Sequence, residues 1–439
     1  MLLISKHDLE KALSGLNRIA PKKPALPILG CARLQTIDRQ TVTMTATNLN
    51  EFLTCRIKVS NAPEGLNTLL PLSEVKTFIK GDKRALLKVE PVASGGVTIS
   101  EEISGQTLIR EFPAPEAKDF PAMPPCPAEL LNVPDDFIST LSRVAPSTSQ
   151  KDPRTTLHGI LMSPEGLTGT DGKQLCHVPY PLPIREECVL RLPACLFSLS
   201  AKLAVRLGIA KDKYGASVTI ETGNWSWTSK SLYGKYPNWQ HLVPNPKNIV
   251  WKLELDKAGI PQLSAILQRL PDDNAHKLLK LCVKGDSFEL FTEKSTLPVT
   301  CRISSLTGIP PAERIMIDRE ILLRALSLGH NTFEQMANAL TPLVATGGLG
   351  KLVFMPWRER GQTAATTPSE QPKQEIKTMK QENGNNAAKS TATAKVVKAQ
   401  ETTKAPVTPV AANTGFKVVP GQGQADGYGM RGRIARLHP

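Results

Sequence analysis

Gly347-Gly348-Leu349-Gly350-Lys351 is the stretch closest to a phosphate cradle, in which backbone N–H groups and a lysine ammonium grip a nucleotide. The nucleotide-loop pattern needs Gly where Ala345 stands and Ser or Thr where Leu352 stands, so it fails at both. Cys176-His177 sets a thiol beside an imidazole, but neighbouring strand residues point to opposite faces, which keeps the base from its nucleophile. None of the seven histidines has ligand spacing with another. The eight cysteines (Cys31, Cys55, Cys126, Cys176, Cys188, Cys195, Cys282, Cys301) are scattered singly, mostly in apolar surroundings where a thiol acts as a small hydrophobe. The carboxylate pairs Asp135-Asp136 and Asp272-Asp273 fall at helix starts or turns, where capping accounts for them. The expectation is a protein without catalysis, metal or cofactor.

Positive charge is the remaining chemistry. The chain carries 54 Lys and Arg against 40 Asp and Glu, a formal charge of +14. About +8 of this lies in the first 358 residues and about +6 in the remainder. Such a surplus suits a polyanionic partner. Lys6, Lys11, Arg18, Lys76, Lys80, Arg143, Lys202, Arg206, Arg269 and Arg324 all fall on expected helices, where sequence-independent phosphate contacts would be salt-sensitive. An ordinary solvated helix face explains any one of them equally well.

The elements that would carry these cations follow a recurring order. A length of 439 residues with 40% hydrophobic content suggests roughly three domains. Ser5–Arg18 spaces Leu9, Leu13 and Leu16 on one helical face. Strands are expected at Ile28–Thr36, Thr41–Thr47 and Glu51–Val59, a helix at Leu72–Lys80, then strands at Leu86–Val89, Gly96–Ser100 and Gln106–Phe112. The order then repeats. A helix at Asp135–Val144 ends in Ala145-Pro146 as the first ends in Ala20-Pro21, and Leu192-Pro193 introduces a second helix as Leu70-Pro71 does. That second helix would carry Lys202, Arg206, Lys211 and Lys213. A third pass has helices near Leu255–Arg269 and Asp318–Leu328, strands at Leu278–Val283 and Ser287–Thr292, and a closing strand at Lys351–Pro356. Repeats this long imply copies of a domain rather than a solenoid. Residues 359–439, rich in Thr, Ala, Lys, Gln, Gly and Pro, are expected to be a disordered tail. The N-terminus is charged by its sixth residue, and no run of about 20 apolar residues occurs, so a cytoplasmic, nucleoid-associated protein is expected, with no membrane contact.

Lys151–Val178 holds the most specific motif. Arg154, Leu157 and Gly159 form R-x-x-L-x-G on an expected strand Thr155–Met162, Ser163-Pro164-Glu165-Gly166 makes a turn, and Thr170-Asp171-Gly172 follows. With Leu26-Pro27-Ile28-Leu29-Gly30, Tyr236-Pro237-Asn238-Trp239, Leu242-Val243-Pro244 and Met355-Pro356-Trp357-Arg358, this resembles the bacterial DNA polymerase III beta subunit, the replication sliding clamp family, from Met1 to about Arg358. The resemblance implies an α+β fold of three DNA-clamp domains (1–125, 126–245 and 246–358) ahead of the tail. Two chains would join head to tail as a homodimeric ring, sheets outside and paired helices lining a hole for double-stranded DNA.

The same resemblance implies site residues. For DNA these are Lys22 and Lys23 beside Pro24, Lys151 and Arg154 in the second domain's loop, and Lys76, Lys80, Lys202 and Arg206. A pocket for short motifs of the polymerase, clamp loader and other partners would comprise Leu157, Thr170, Gly172, Lys173, Gln174, Leu175, Pro237, His241, Leu242, Val353, Met355, Pro356, Trp357 and Arg358. Leu157, Leu175 and Val353 are equally expected as core. Ile109 and Leu270 are the candidate dimer contacts. The chain departs from the family pattern at Lys173-Gln174 (often His-Arg), at His241 (often Arg), at Trp357 and in its tail. A divergent clamp serving as an interaction hub outside core replication, or a hydrolase of another class, stay open as alternatives.

Overall fold

A computed structural model describes residues 1–199, 203–213, 215–271, 277–294, 297–312, 314–336, 338–358 and 417–420. One order of elements runs through them three times. The first run is β1 (Leu2–Ser5), α1 (Lys6–Leu16), β2 (Cys31–Asp38), β3 (Thr41–Thr47), β4 (Glu51–Lys58), β5 (Asn67–Pro71), α2 (Leu72–Phe78), β6 (Leu86–Pro91), β7 (Gly96–Ile103) and β8 (Gln106–Pro113). The second is β9 (Leu131–Val133), α3 (Phe137–Val144), β10 (Gly159–Ser163), β11 (Gly166–Thr170), β12 (Gln174–Pro179), β13 (Cys188–Arg191), β14 (Val205–Asp212), β15 (Gly215–Thr222) and β16 (Trp225–Lys230). The third is β17 (Trp251–Leu255), α4 (Ile260–Leu267), β18 (Leu278–Lys284), β19 (Ser287–Phe291), β20 (Val299–Gly308), β21 (Ile315–Asp318), α5 (Arg319–Ser327), β22 (Thr332–Gln335), β23 (Leu343–Thr346) and β24 (Lys351–Phe354). Of the segment expected to be a disordered tail, Lys417–Pro420 forms a strand, β25, and the rest lies outside the described residues.

Each run supplies two four-stranded units. In the first run these are β5-β2-β3-β4 and β1-β6-β7-β8. Runs join edge to edge. β4 pairs antiparallel with β16, Cys55 opposite Trp225, to make an eight-stranded sheet. β12 pairs with β24 in the same way, Leu175 opposite Val353. In the third run β17 also pairs with β20, so that run's two units merge with β13-β10-β11-β12 into twelve strands. β1-β6-β7-β8 stays a separate sheet, and β25 adds to its β8 edge.

The expected apolar face of α1 is buried: Leu9, Leu13 and Leu16 are core residues. The Ser5 hydroxyl oxygen accepts from the Asp8 backbone N–H at 3.1 Å and caps the helix. Several expectations are corrected. Lys6 is buried, its ammonium donating to Glu101 at 2.8 and 3.0 Å, so it faces β7 and not a partner. Arg18, Lys80 and Arg269 lie just past the ends of α1, α2 and α4. Where the first run has α2, the second has a 3-10 turn at Leu196–Ser198, and Arg206 and Lys211 sit on β14, with Lys213 just past its end. Val205 and Leu207 are buried on either side of exposed Arg206, the period of two that a strand against a core requires. Lys202 lies outside the described residues. Thr155–His158 and Pro27–Gly30 are 3-10 turns, and the strands begin at Gly159 and Cys31. No helix among the described residues is long and apolar enough to cross a membrane.

Gly15 shows how tightly the first two runs meet. A Cβ on this α1 residue would run into the ring of Trp225 on β16. Gly15→Ala should lower unfolding stability by about 1–3 kcal/mol by overpacking, despite alanine's better helix propensity. Chemical denaturation of the two proteins checks this, and an unchanged midpoint would contradict the packing.

Candidate partner groove and cationic surfaces

The Thr170-Asp171-Gly172 turn is built by its own side chains. Asp171 Oδ1 accepts from the backbone N–H groups of Lys173 and Gln174 at 2.8 and 3.0 Å. Asp171 Oδ2 accepts from Gln174 Nε2 at 2.7 Å. The Thr170 hydroxyl donates to the Gln174 carbonyl at 2.6 Å and accepts from the Gly172 N–H at 3.1 Å. Gly172 has φ +86°, which an L side chain resists, and a Cβ there would lie 3.1 Å from Arg154 Nη2. The turn therefore fixes the start of β12, and β12 pairs with β24.

That pairing brings some of the residues of the expected pocket together. Leu157, Leu175 and Val353 are buried in one cluster with Leu161, Val189, Tyr236, Trp239 and Val344. Thr170, Gln174 and Pro356 are also buried, whereas Gly172, Lys173, His241 and Arg358 are exposed. Leu242 and Met355 present apolar surface at 54% and 41% exposure. The Met355 N–H donates to the Lys173 carbonyl at 3.0 Å, and the Lys173 ammonium lies 5.8 Å from the centre of the Trp357 ring. The segments that run on from this apolar cluster thus carry exposed apolar side chains and cations, a chemistry that suits an extended apolar peptide. Pro237 borders a neighbouring cavity of about 870 Å³ that is lined mainly by residues 231–240.

Sequence reasoning did not assign Tyr236 and Trp239 to this floor. The Tyr236 hydroxyl donates to the Thr168 carbonyl at 3.1 Å, and Trp239 stacks on His177 with centroids 4.2 Å apart. The signal available was two aromatic residues in a polar, proline-containing stretch of a chain with only 5% aromatics. Ile109 and Leu270 lie apart in the fold. Ile109 is in β8, opposite Lys417, and Leu270 follows α4 with its carbonyl accepting from Arg319 at 2.6 Å.

The expected DNA cations differ in how they are held. Lys22, Lys23, Lys80 and Lys151 are exposed and Lys76 is half-buried. Arg154 donates twice to Asp152, both at 2.9 Å, and this pairing pulls the Asp152 carboxyl down to about 2. Arg206 and Arg56 share Glu221, at 2.5 and 2.7 Å. Arg324, expected on an open helix face, is half-buried, and burial lowers its pKa against the opposing pull of Asp171.

The stretches with a chemical look have structural roles. Gly347–Gly350 turns the chain from β23 to β24, where a phosphate loop would lead into a helix. A Cβ on Gly348 would strike the backbone at Gly329, and one on Gly350 the His177 carbonyl. Cys176 is fully buried and its thiol is pushed up to about 12 by desolvation, while burial lowers His177. Asp136 precedes α3 as expected, but its carboxylate accepts from the Tyr180 hydroxyl at 2.5 Å and does not cap the helix. Asp272 and Asp273 lie outside the described residues. Among the described residues no three His, Cys, Asp or Glu side chains are grouped to hold a metal ion.

No protein-family model matches the chain. It is similar to curated proteins: the beta sliding clamp of Pseudomonas aeruginosa is 24% identical over 253 residues, 55% of this chain and 67% of that protein. The beta sliding clamp of Synechococcus elongatus is 25% identical over 261 residues, 56% of this chain and 68% of that protein. Among solved structures, the DNA polymerase III subunit beta of P. aeruginosa aligns with a TM-score of 0.69 at 17% identity, over 81% of this chain and 99% of that one. The DNA polymerase sliding clamp of Caulobacter crescentus aligns at 0.68 and 18% identity, over 82% and 99%. The fold is the bacterial sliding-clamp fold. In sequence the chain is similar to the beta sliding clamps over a little more than half its length.

His330, between α5 and β22, ties the fold's stability to pH. It is fully buried, and its Nδ1 accepts from the Gly348 N–H at 3.2 Å. Desolvation, reinforced by the positive charge of Arg143, lowers its pKa from 6.5 to about 4. Between pH 6.5 and about 4 the unfolded chain binds this proton and the folded chain does not, so stability present above pH 6.5 is lost as pH falls through that window. The loss should amount to roughly 1–3 kcal/mol. Urea unfolding across the window should show this slope flattened in His330→Gln; identical slopes would show that His330 is not the titrating group.

Proposed function

We propose that this protein is a DNA sliding clamp: a non-catalytic processivity factor that closes head to tail with a second copy around duplex DNA. Its three runs of elements would be domains 1–125, 126–245 and 246–358. The observation that carries the reading is the repeated joint. In both joints the last strand of one unit, β4 or β12, pairs antiparallel with the last strand of the following run, β16 or β24. By that rule the edges left for a second copy are β8 and the Val299–Arg302 half of β20, which has β19 on its other side. Two copies meeting β8 to β20 would use each edge once and close. Ile109 falls on β8 and Leu270 in the third run, in keeping with contacts at such a joint.

Lys22, Lys23, Lys76, Lys80 and Lys151 would touch the phosphates, with Arg154 and Arg206 held by their carboxylates; Lys202 is a candidate by sequence only. Contacts of this kind are sequence-independent and allow sliding. Linkage by topology suits the task, since tight site-specific binding would stop translocation. The strip from Leu157 to Met355 would receive short motifs of a polymerase, a clamp loader and other partners.

Loaded onto nicked circular DNA by a bacterial clamp loader, the protein should be retained in high salt and lost when the circle is linearised. Equal retention on both would sink the encirclement reading. Leu242→Ala with Met355→Ala removes exposed apolar surface without touching the core. Affinity for a clamp-binding peptide, measured by fluorescence anisotropy, should fall at least about tenfold while the unfolding transition is unchanged; unaltered affinity would move the partner site elsewhere.

A further inference from the structure

We propose that the β8 edge is a binding surface for an extended segment of this chain's own tail, Lys417–Pro420, which competes there with a second copy of the chain. The first half stands on strand pairing alone; the competition rests on the head-to-tail reading above. β25 lies antiparallel on β8 with Lys417 opposite Ile109, Val418 opposite Leu108, Val419 opposite Thr107 and Pro420 opposite Gln106. β16 and β24, the strands in the same place of the other runs, are each covered by another run, and β8 is covered by the tail.

A sheet edge offers a row of backbone donors and acceptors to any strand of suitable sequence. Two adjacent valines suit the pleated backbone, and Pro420, which lacks an N–H, ends the ladder at the first residue of β8. Some 58 residues separate Arg358 from Lys417, enough covalent length, at most about 200 Å, to reach β8 from the end of β24. Because the segment is tethered, its occupancy of β8 does not depend on protein concentration. Because a closed ring uses the β8 edge of both copies, the apparent dissociation constant of the dimer rises by the square of the reciprocal of the uncovered fraction. A tail strand in place nine-tenths of the time on each copy weakens association about a hundredfold.

The test uses the full chain and a Val418→Pro/Val419→Pro variant, which lacks both central N–H groups of the strand. Hydrogen exchange in dilute protein should show those amides of Thr107–Ile109 that face β25 protected in the parent and exposed in the variant. Sedimentation equilibrium should show the variant dimerising at least about tenfold more tightly. A peptide carrying residues 414–424, added in excess to the variant, should restore protection and weaken the dimer again. Unprotected β8 amides in the dilute parent would overturn the tail strand while leaving the clamp reading intact. Protection lost in the variant with no dimer in either protein would uphold the tail strand and overturn both the competition and the head-to-tail reading.

Discussion

Antiparallel pairing between strand edges of successive runs is the constraint on which the rest depends. An unpaired edge leaves backbone N–H and C=O groups seeking partners, and a lone four-stranded unit has two of them. Here β4 with β16 and β12 with β24 remove four such edges. Their register sets which side chains meet across each joint. Trp225 reaches the helix of the preceding run only because β16 is locked to β4, and Gly15 leaves room for it.

The candidate groove is a by-product of one of these joints. Leu175 and Val353 are opposite residues of the β12–β24 ladder, and Met355 and Lys173 continue it by a further backbone bond. Residues almost 180 positions apart are thus side by side for a reason unconnected with any ligand. Leu242 and Met355 are exposed, while Leu157, Leu175 and Val353 also serve as core. A groove so built is held by a strand ladder, which would spare any ligand the ordering cost that a loop-borne site incurs.

Charge is divided between structure and surface. Lys6 with Glu101 is sealed inside the first run, where separating the two would strand a buried charge. Arg154 and Arg206 have carboxylate partners. Lysines at loops and helix ends remain exposed, as a diffuse attraction for phosphate requires. The net charge of +14 is therefore a poor guide to which cations are available, since it counts paired and unpaired ones alike.

Much of the fold was legible in the sequence because local signals agree with tertiary need. The Leu9, Leu13, Leu16 spacing, the alternation in Thr41–Thr47 and the Thr170-Asp171-Gly172 turn each report short-range physics, and each element stands where expected. The run starting at Val205 misled because its cations also suit a helix, and only the core beneath β14 selected period two. Lys6 reads as a surface cation until Glu101, 95 residues on, is placed against it. By itself the sequence determined the thrice-repeated order of elements and the turn that starts β12, since these follow from periodicity and turn chemistry. Tertiary structure alone decided which edges pair, which cations are buried, and that four residues near the far end of the chain cover β8. Those outcomes depend on contacts between distant segments, to which local spacing is blind.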